Sequence, residues 1–123
     1  MAYDLNKAGF DVAFIPETNN GICADCILKT GNSYKLADFK YCITTNSSTL
    51  SKELTHGFKQ ASTIVLKLKH LDAGAFKNAI DYLLRNGIPY GNLILINQYG
   101  KTLIINYKDI KSKRYIRKIK GFL

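Results

Sequence analysis

The sequence predicts an α/β domain with a central mixed sheet flanked by helices. Three observations carry that expectation. Helical and strand-like segments alternate in the order α-β-β-β-α-β-α-β-β. Two turn signals, Gly31-Asn32 and Tyr99-Gly100, each separate a pair of apolar runs as hairpin turns do. No repeat, low-complexity tract or Pro/Gly/Ser-rich linker divides the 123 residues, so one domain is expected over 1–123. Apolar residues make up 46% of the chain, enough to build a core and to set disorder aside.

Asp4 to Ala8 followed by Gly9 has the pattern of a last helical turn with Gly at the C′ position. A helix starting so close to the first residue is unusually short, which suggests a domain excised from the C-terminus of a longer polypeptide. Three strands are expected next, at Phe10–Ile15, Cys23–Lys29 and Tyr34–Cys42, with Pro16 closing the first. Asn46-Ser47-Ser48 supplies N-cap oxygens for a helix to about Ala61, and Leu50, Leu54, Phe58 and Ala61 form its apolar stripe. Thr63–Leu68 is β-branched and apolar, as buried strands are. A helix over Ala73–Asn86 buries Phe76, Ile80, Leu83 and Leu84 and stops at Gly87, with Pro89 beyond. Leu93–Ile96 and Thr102–Tyr107 form the last hairpin.

Charge narrows the partners. With 18 Lys and Arg against 9 Asp and Glu, the formal net charge is +9, a field that suits nucleic acid, anionic membrane or acidic proteins. No apolar run is long enough for a stable membrane insertion, and no signal peptide is evident. From Lys101 onward eight cations face Asp109 alone, forming a C-terminal cationic arm in which Lys111, Lys113, Arg114, Arg117 and Lys118 are interleaved with Tyr115, Ile116 and Ile119. Such a segment is expected to bind RNA phosphates with little sequence preference, or an acidic protein surface; lying on an anionic membrane or simple solvation are the alternatives.

The acids are fewer and more informative. If Gly31-Asn32 is the turn, Thr30 pairs with Ser33 and Asp25 falls opposite Asp38, with Lys40 on the same face two residues on. Like charges placed so repel; Lys40 would supply part of the compensation and a divalent metal such as Mg²⁺ or Mn²⁺ the rest. A metal held beside a lysine polarises a phosphoryl oxygen and activates water, the chemistry of phosphodiester cleavage. The alternative is an edge hairpin whose charges face water, and a one-residue slip would separate the acids.

These residues resemble a known family. Ala24-Asp25-Cys26-Ile27 followed by Ala37-Asp38-Phe39-Lys40 resembles the PD-(D/E)xK motif of the nuclease superfamily, with Ala24 in the place of Pro and Asp38 where Glu is frequent. The α-β-β-β-α-β order over residues 4–68 is similar to that superfamily's core. Gly9-Phe10-Asp11-Val12, Ile15-Pro16-Glu17, Asn46-Ser47-Ser48-Thr49-Leu50 and Lys59-Gln60-Ala61 before Ile64-Val65-Leu66 look like the C-terminal tRNase domains of contact-dependent growth inhibition toxins of the CdiA type. The resemblance spans residues 4–107. It implies Asp25 and Asp38 as metal ligands, Lys40 as the lysine that orients or activates water, Glu17 as a further acid and Gln60 as a site residue. It also implies delivery from a cell-surface protein into the cytoplasm of a target bacterium, tRNA as substrate, a cognate acidic immunity protein, and a host activating factor as a further candidate partner.

Other residue groups give competing readings. His56 shares a polar stripe with Lys52 and Gln60, which serves RNA contact, metal-free acid–base catalysis, or only solvation. Cys23-Ala24-Asp25-Cys26 has redox-motif spacing, but in a strand its thiols face opposite sides, so inert thiols are expected. Zinc is not expected, because a closed site needs four ligands and His56 and His70 are the only histidines. The odd cysteine number argues against a disulfide framework and for a reducing workplace. The expected function is therefore a toxin endonuclease. A metal-independent RNase using His56, a non-catalytic basic nucleic-acid-binding domain and a module for an acidic protein are the alternatives.

Overall fold

The computed structural model describes residues 2–14, 26–31, 33–42, 46–70 and 72–122. Their order is α1 (Ala2–Lys7), β1 (Asp11–Phe14), β2 (Cys26–Thr30), β3 (Ser33–Cys42), α2 (Ser47–Gln60), β4 (Thr63–Leu68), α3 (Ala73–Arg85), β5 (Asn92–Ile96), β6 (Thr102–Ile105), α4 (Tyr107–Lys111) and α5 (Tyr115–Phe122). The six strands form one mixed sheet in sequence order, a helix-flanked α/β fold as expected. β1, β2 and β3 run as an antiparallel meander, β3, β4 and β5 are parallel, and β6 returns antiparallel to β5.

Local chemistry sets these boundaries. Gly31 has φ 58, a value Gly reaches without Cβ strain, and Thr30 pairs with Ser33 across the turn as the hairpin pattern predicts. Asn46 caps α2, its side-chain oxygen accepting from the Ser48 and Thr49 amides. Each parallel step needs a crossover, and α2 and α3 supply the two, joining β3 to β4 and β4 to β5.

The two sheet faces carry separate cores. One packs Leu50 and Leu54 of α2 and Phe76, Ile80 and Leu83 of α3 against Ile64, Leu66, Leu93 and Leu95, and continues to Ile110, Tyr115 and Ile119. The other closes under α1, where Leu5 and Phe10 meet Leu28, Ala37, Val65, Ile94 and Ile96. Lys67 on that face donates to Asp4 of α1 at 3.0 Å.

The C-terminal segment departs from the expected arm. It is not a solvated tail: Tyr115 and Ile119, one helical turn apart, are buried with Ile110, so α4 and α5 fold down onto the sheet. Asn106 ends β6 two residues before the expected Tyr107 by capping α4, and it forms a capping box with Asp109. Asp109 is only 4% exposed and accepts from Lys118 at 2.7 Å, with Arg114 at 3.8 Å. The hydrogen bond from Lys118 holds its carboxyl below the usual carboxylate range; burial opposes this, while the Asn106 amide and Arg114 add to it. A depressed folded value stabilises above the unfolded pKa of about 3.9 and the gain is lost as pH falls through the folded value. Asp109→Ala should therefore cost about 2 kcal/mol at neutral pH, and progressively less as pH falls from about 4 through the folded value, as at about pH 2. Denaturant titrations at both pH values check this; equal costs at both would refute it.

Candidate functional site

β3 is a central strand, and its alternation sorts the candidate residues. Ala37 joins the core under α1, while Cys42 joins the core under α2, so the residues of even number on this strand point toward α2. Asp38 and Lys40 share that direction. Asp38 is 1% exposed, so this acid of the hairpin does not face water. Its register partner on β4 is Ile64 and that of Lys40 is Leu66, so the pair stands on the apolar floor of the sheet.

The Lys40 ammonium organises the site. Its Nζ lies 3.2 Å from Asp38 Oδ2, 3.9 Å from Glu53 Oε2 and 3.1 Å from His56 Nδ1. An ammonium has no lone pair, so Lys40 donates and Nδ1 accepts, which puts the proton of the neutral ring on Nε2. Gln60 Nε2 lies 3.4 Å from the same Nδ1. Glu53, His56, Gly57 and Gln60 recur at three- and four-residue spacing, one face of α2 laid over β3.

Gly57 permits that closeness. A Cβ there would stand 2.7 Å from Ile64 Cδ1 and 3.2 Å from Asp38 Oδ2. Burial falls outward from Asp38, with the Lys40 side chain 15% and that of Glu53 41% exposed, and His56 exposed beyond them. The Cys42 thiol at the inner end is pushed up by burial and by the Glu53 carboxylate, against Lys40, so it stays protonated and unreactive.

Of the residues expected at the site, Asp38, Lys40, His56 and Gln60 are brought together. Asp25 and Glu17 lie outside the described residues, as do Cys23 and the Asp25–Asp38 pairing. The ladder up to Cys26–Ala37 has the register that the expectation used. Lys111, Lys113, Arg114, Arg117 and Lys118 belong to α4, α5 and their link, where Lys118 is held by Asp109. Glu53 was missed by sequence reasoning. Its only signal is its place three residues before His56 on the helix.

Among the described residues no three His, Cys, Asp or Glu side chains converge on one point as a metal would require. At Asp38 the compensating charge is the Lys40 ammonium. A buried carboxylate ion-paired with an ammonium that in turn donates to an exposed imidazole can orient water, move a proton and stabilise a developing oxyanion.

Fold and site together define an α/β domain with an Asp-x-Lys pair on a central strand, buried beneath the polar face of a crossover helix. This fold matches a chain of the CdiA-CT/CdiI toxin and immunity complex from Burkholderia pseudomallei, with a TM-score of 0.60, 22% identity, and 85% of this chain and 78% of that chain covered. At that identity the likeness is one of fold. No protein-family model matches the chain, and no curated protein matches its sequence.

Proposed function

We propose that this chain is the toxin domain of a contact-dependent growth inhibition system and an endonuclease that cleaves tRNA in the target bacterium. The observation that carries this reading is the Asp38–Lys40 pair buried beneath Glu53, His56 and Gln60. The match in fold to a chain of a toxin and immunity complex supports it, as does the net charge of +9. The same likeness supports delivery from a cell-surface protein and neutralisation by a cognate immunity protein, which the basic surface suggests is acidic. In this reading Lys40 orients the attacking water or stabilises the phosphorane oxygen, and Asp38 fixes the ammonium in place.

The metal belongs to the same proposal. Asp38 with Asp25 would hold Mg²⁺ or Mn²⁺, with Glu17 as a further acid, and the ion would polarise the phosphoryl oxygen. The donor set suits it, since hard oxygens are what these cations take. The hydrogen bond between Lys40 and His56 favours a second reading, in which His56 moves the proton without a metal.

Incubating the domain with total tRNA, with and without Mg²⁺, separates these outcomes. Discrete fragments that require Mg²⁺ and vanish in Asp38→Ala support the metal enzyme. Cutting that persists in excess EDTA and vanishes in His56→Ala supports the metal-free one. Retention of intact RNA, with no toxicity on cytoplasmic expression, would overturn both in favour of a binding domain.

A further inference from the structure

A groove of about 420 Å³ runs between α2 and α3 beside the site. Its α2 wall carries Ser48, Lys52, Thr55 and Lys59 at helical spacing, with Ser51 beside them. Its other wall is Tyr82 of α3, 44% exposed. His56 lines it too, so it opens directly onto the row that begins at Asp38.

We propose that this groove is a subsite for an unpaired RNA segment, with Lys52 and Lys59 neutralising phosphates and Tyr82 stacking on a base. The inference rests on the nuclease reading and narrows its substrate to a loop or single-stranded region. Lys52 and Lys59 stand two helical turns apart, about 10 Å along the axis. Neither makes an ion pair among the described residues, so both charges are available to a polyanion. The Thr55 hydroxyl donates to the Ser51 carbonyl, which leaves its lone pairs turned to donors such as a ribose 2′-hydroxyl. An exposed aromatic ring across a groove from cations is the arrangement that binds single strands. Stacking tolerates any base but needs its face free, which a duplex does not offer. An acidic protein would match the lysines and leave the ring unexplained.

The test measures binding to a labelled oligoadenylate strand and to an RNA duplex, in a chain carrying Asp38→Asn/Lys40→Met, which strands no charge and leaves the RNA uncut. Tyr82→Ala should weaken single-strand binding about tenfold, leave duplex binding within about twofold, and leave the thermal melt unchanged. Tyr82→Phe should restore it. Lys52→Ala and Lys59→Ala should each reduce the slope of log affinity against log salt by about 0.7. Unchanged single-strand affinity in Tyr82→Ala, or equal losses on both RNAs, would overturn the proposal. So would a polyglutamate peptide that binds more tightly than the strand and is insensitive to Tyr82. Failure of the nuclease reading looks different: the Tyr82-dependent binding persists while the unsubstituted chain cuts nothing.

Discussion

Lys40→Ala is expected to lower the stability of the fold by about 3 kcal/mol and to abolish cleavage with it. Removing one partner of a buried pair leaves the other charge uncompensated, and the cost of that desolvated charge exceeds the modest net value of the pair itself. Asp38 is 1% exposed beneath α2, so bulk water hydrates little of the carboxylate in place of the lost ammonium. Stability and chemistry separate in the double variant Asp38→Asn/Lys40→Met, where no charge is stranded. That variant should recover most of the stability and none of the activity. Urea unfolding and a tRNA cleavage assay on the same preparations give both readouts. If Lys40→Ala is as stable as the unsubstituted chain and cuts at an unchanged rate, Lys40 is neither the organiser of the cluster nor a participant in the reaction.

Substitution of Gly57 should produce the second-largest effect, by steric rather than electrostatic means. Two terms oppose each other. Alanine in a helix interior is favoured over glycine by about 1 kcal/mol, while extra volume in a packed core costs about 1–3 kcal/mol. Here packing prevails, because the new Cβ would meet both Ile64 Cδ1 and the next carbon inward, and Ile64 is fully buried between neighbours that hold it. Gly57→Ala is expected to be destabilised by about 1 kcal/mol, and Gly57→Leu by about 3 kcal/mol. In both, α2 must lift from β3, which stretches the contact between Lys40 and His56. A misplacement of about 1 Å at reacting groups costs on the order of a hundredfold in rate. A more stable and fully active Gly57→Ala would show that the close approach is incidental.

Most of the sheet could be read from the chain because its signals are local. Gly31-Asn32 sets the β2–β3 register by turn chemistry alone, Thr63–Leu68 is apolar from end to end, and Asn46 announces α2 through its own side chain. The C-terminal helices were hidden by composition. The cations from Lys108 to Lys120 dominate any reading of that stretch, while the residues that fold it, Ile110, Tyr115 and Ile119, are few and widely spaced. The cap that starts α4 was legible in Asn106 and Asp109, and it was read as the end of a strand. For the site, Asp38 and Lys40 carry a strand-spaced signal, but Glu53 reaches Lys40 only because α2 crosses back over β3. No spacing rule links positions brought together by a crossover.

The helical layer has a consequence for how this molecule meets a partner. From α2 through α5, link included, it carries eleven lysines and arginines against Glu53, Asp81 and Asp109, so nearly all of the +9 sits on one side of the sheet. Such a molecule has an electrical front and back. In the field of a polyanion it turns before contact, bringing the helical face forward with α4 and α5 leading, so a larger share of encounters begins with that face toward the partner. That benefit belongs to the association rate, and it fades as salt shortens the reach of the field to about 8 Å at physiological ionic strength.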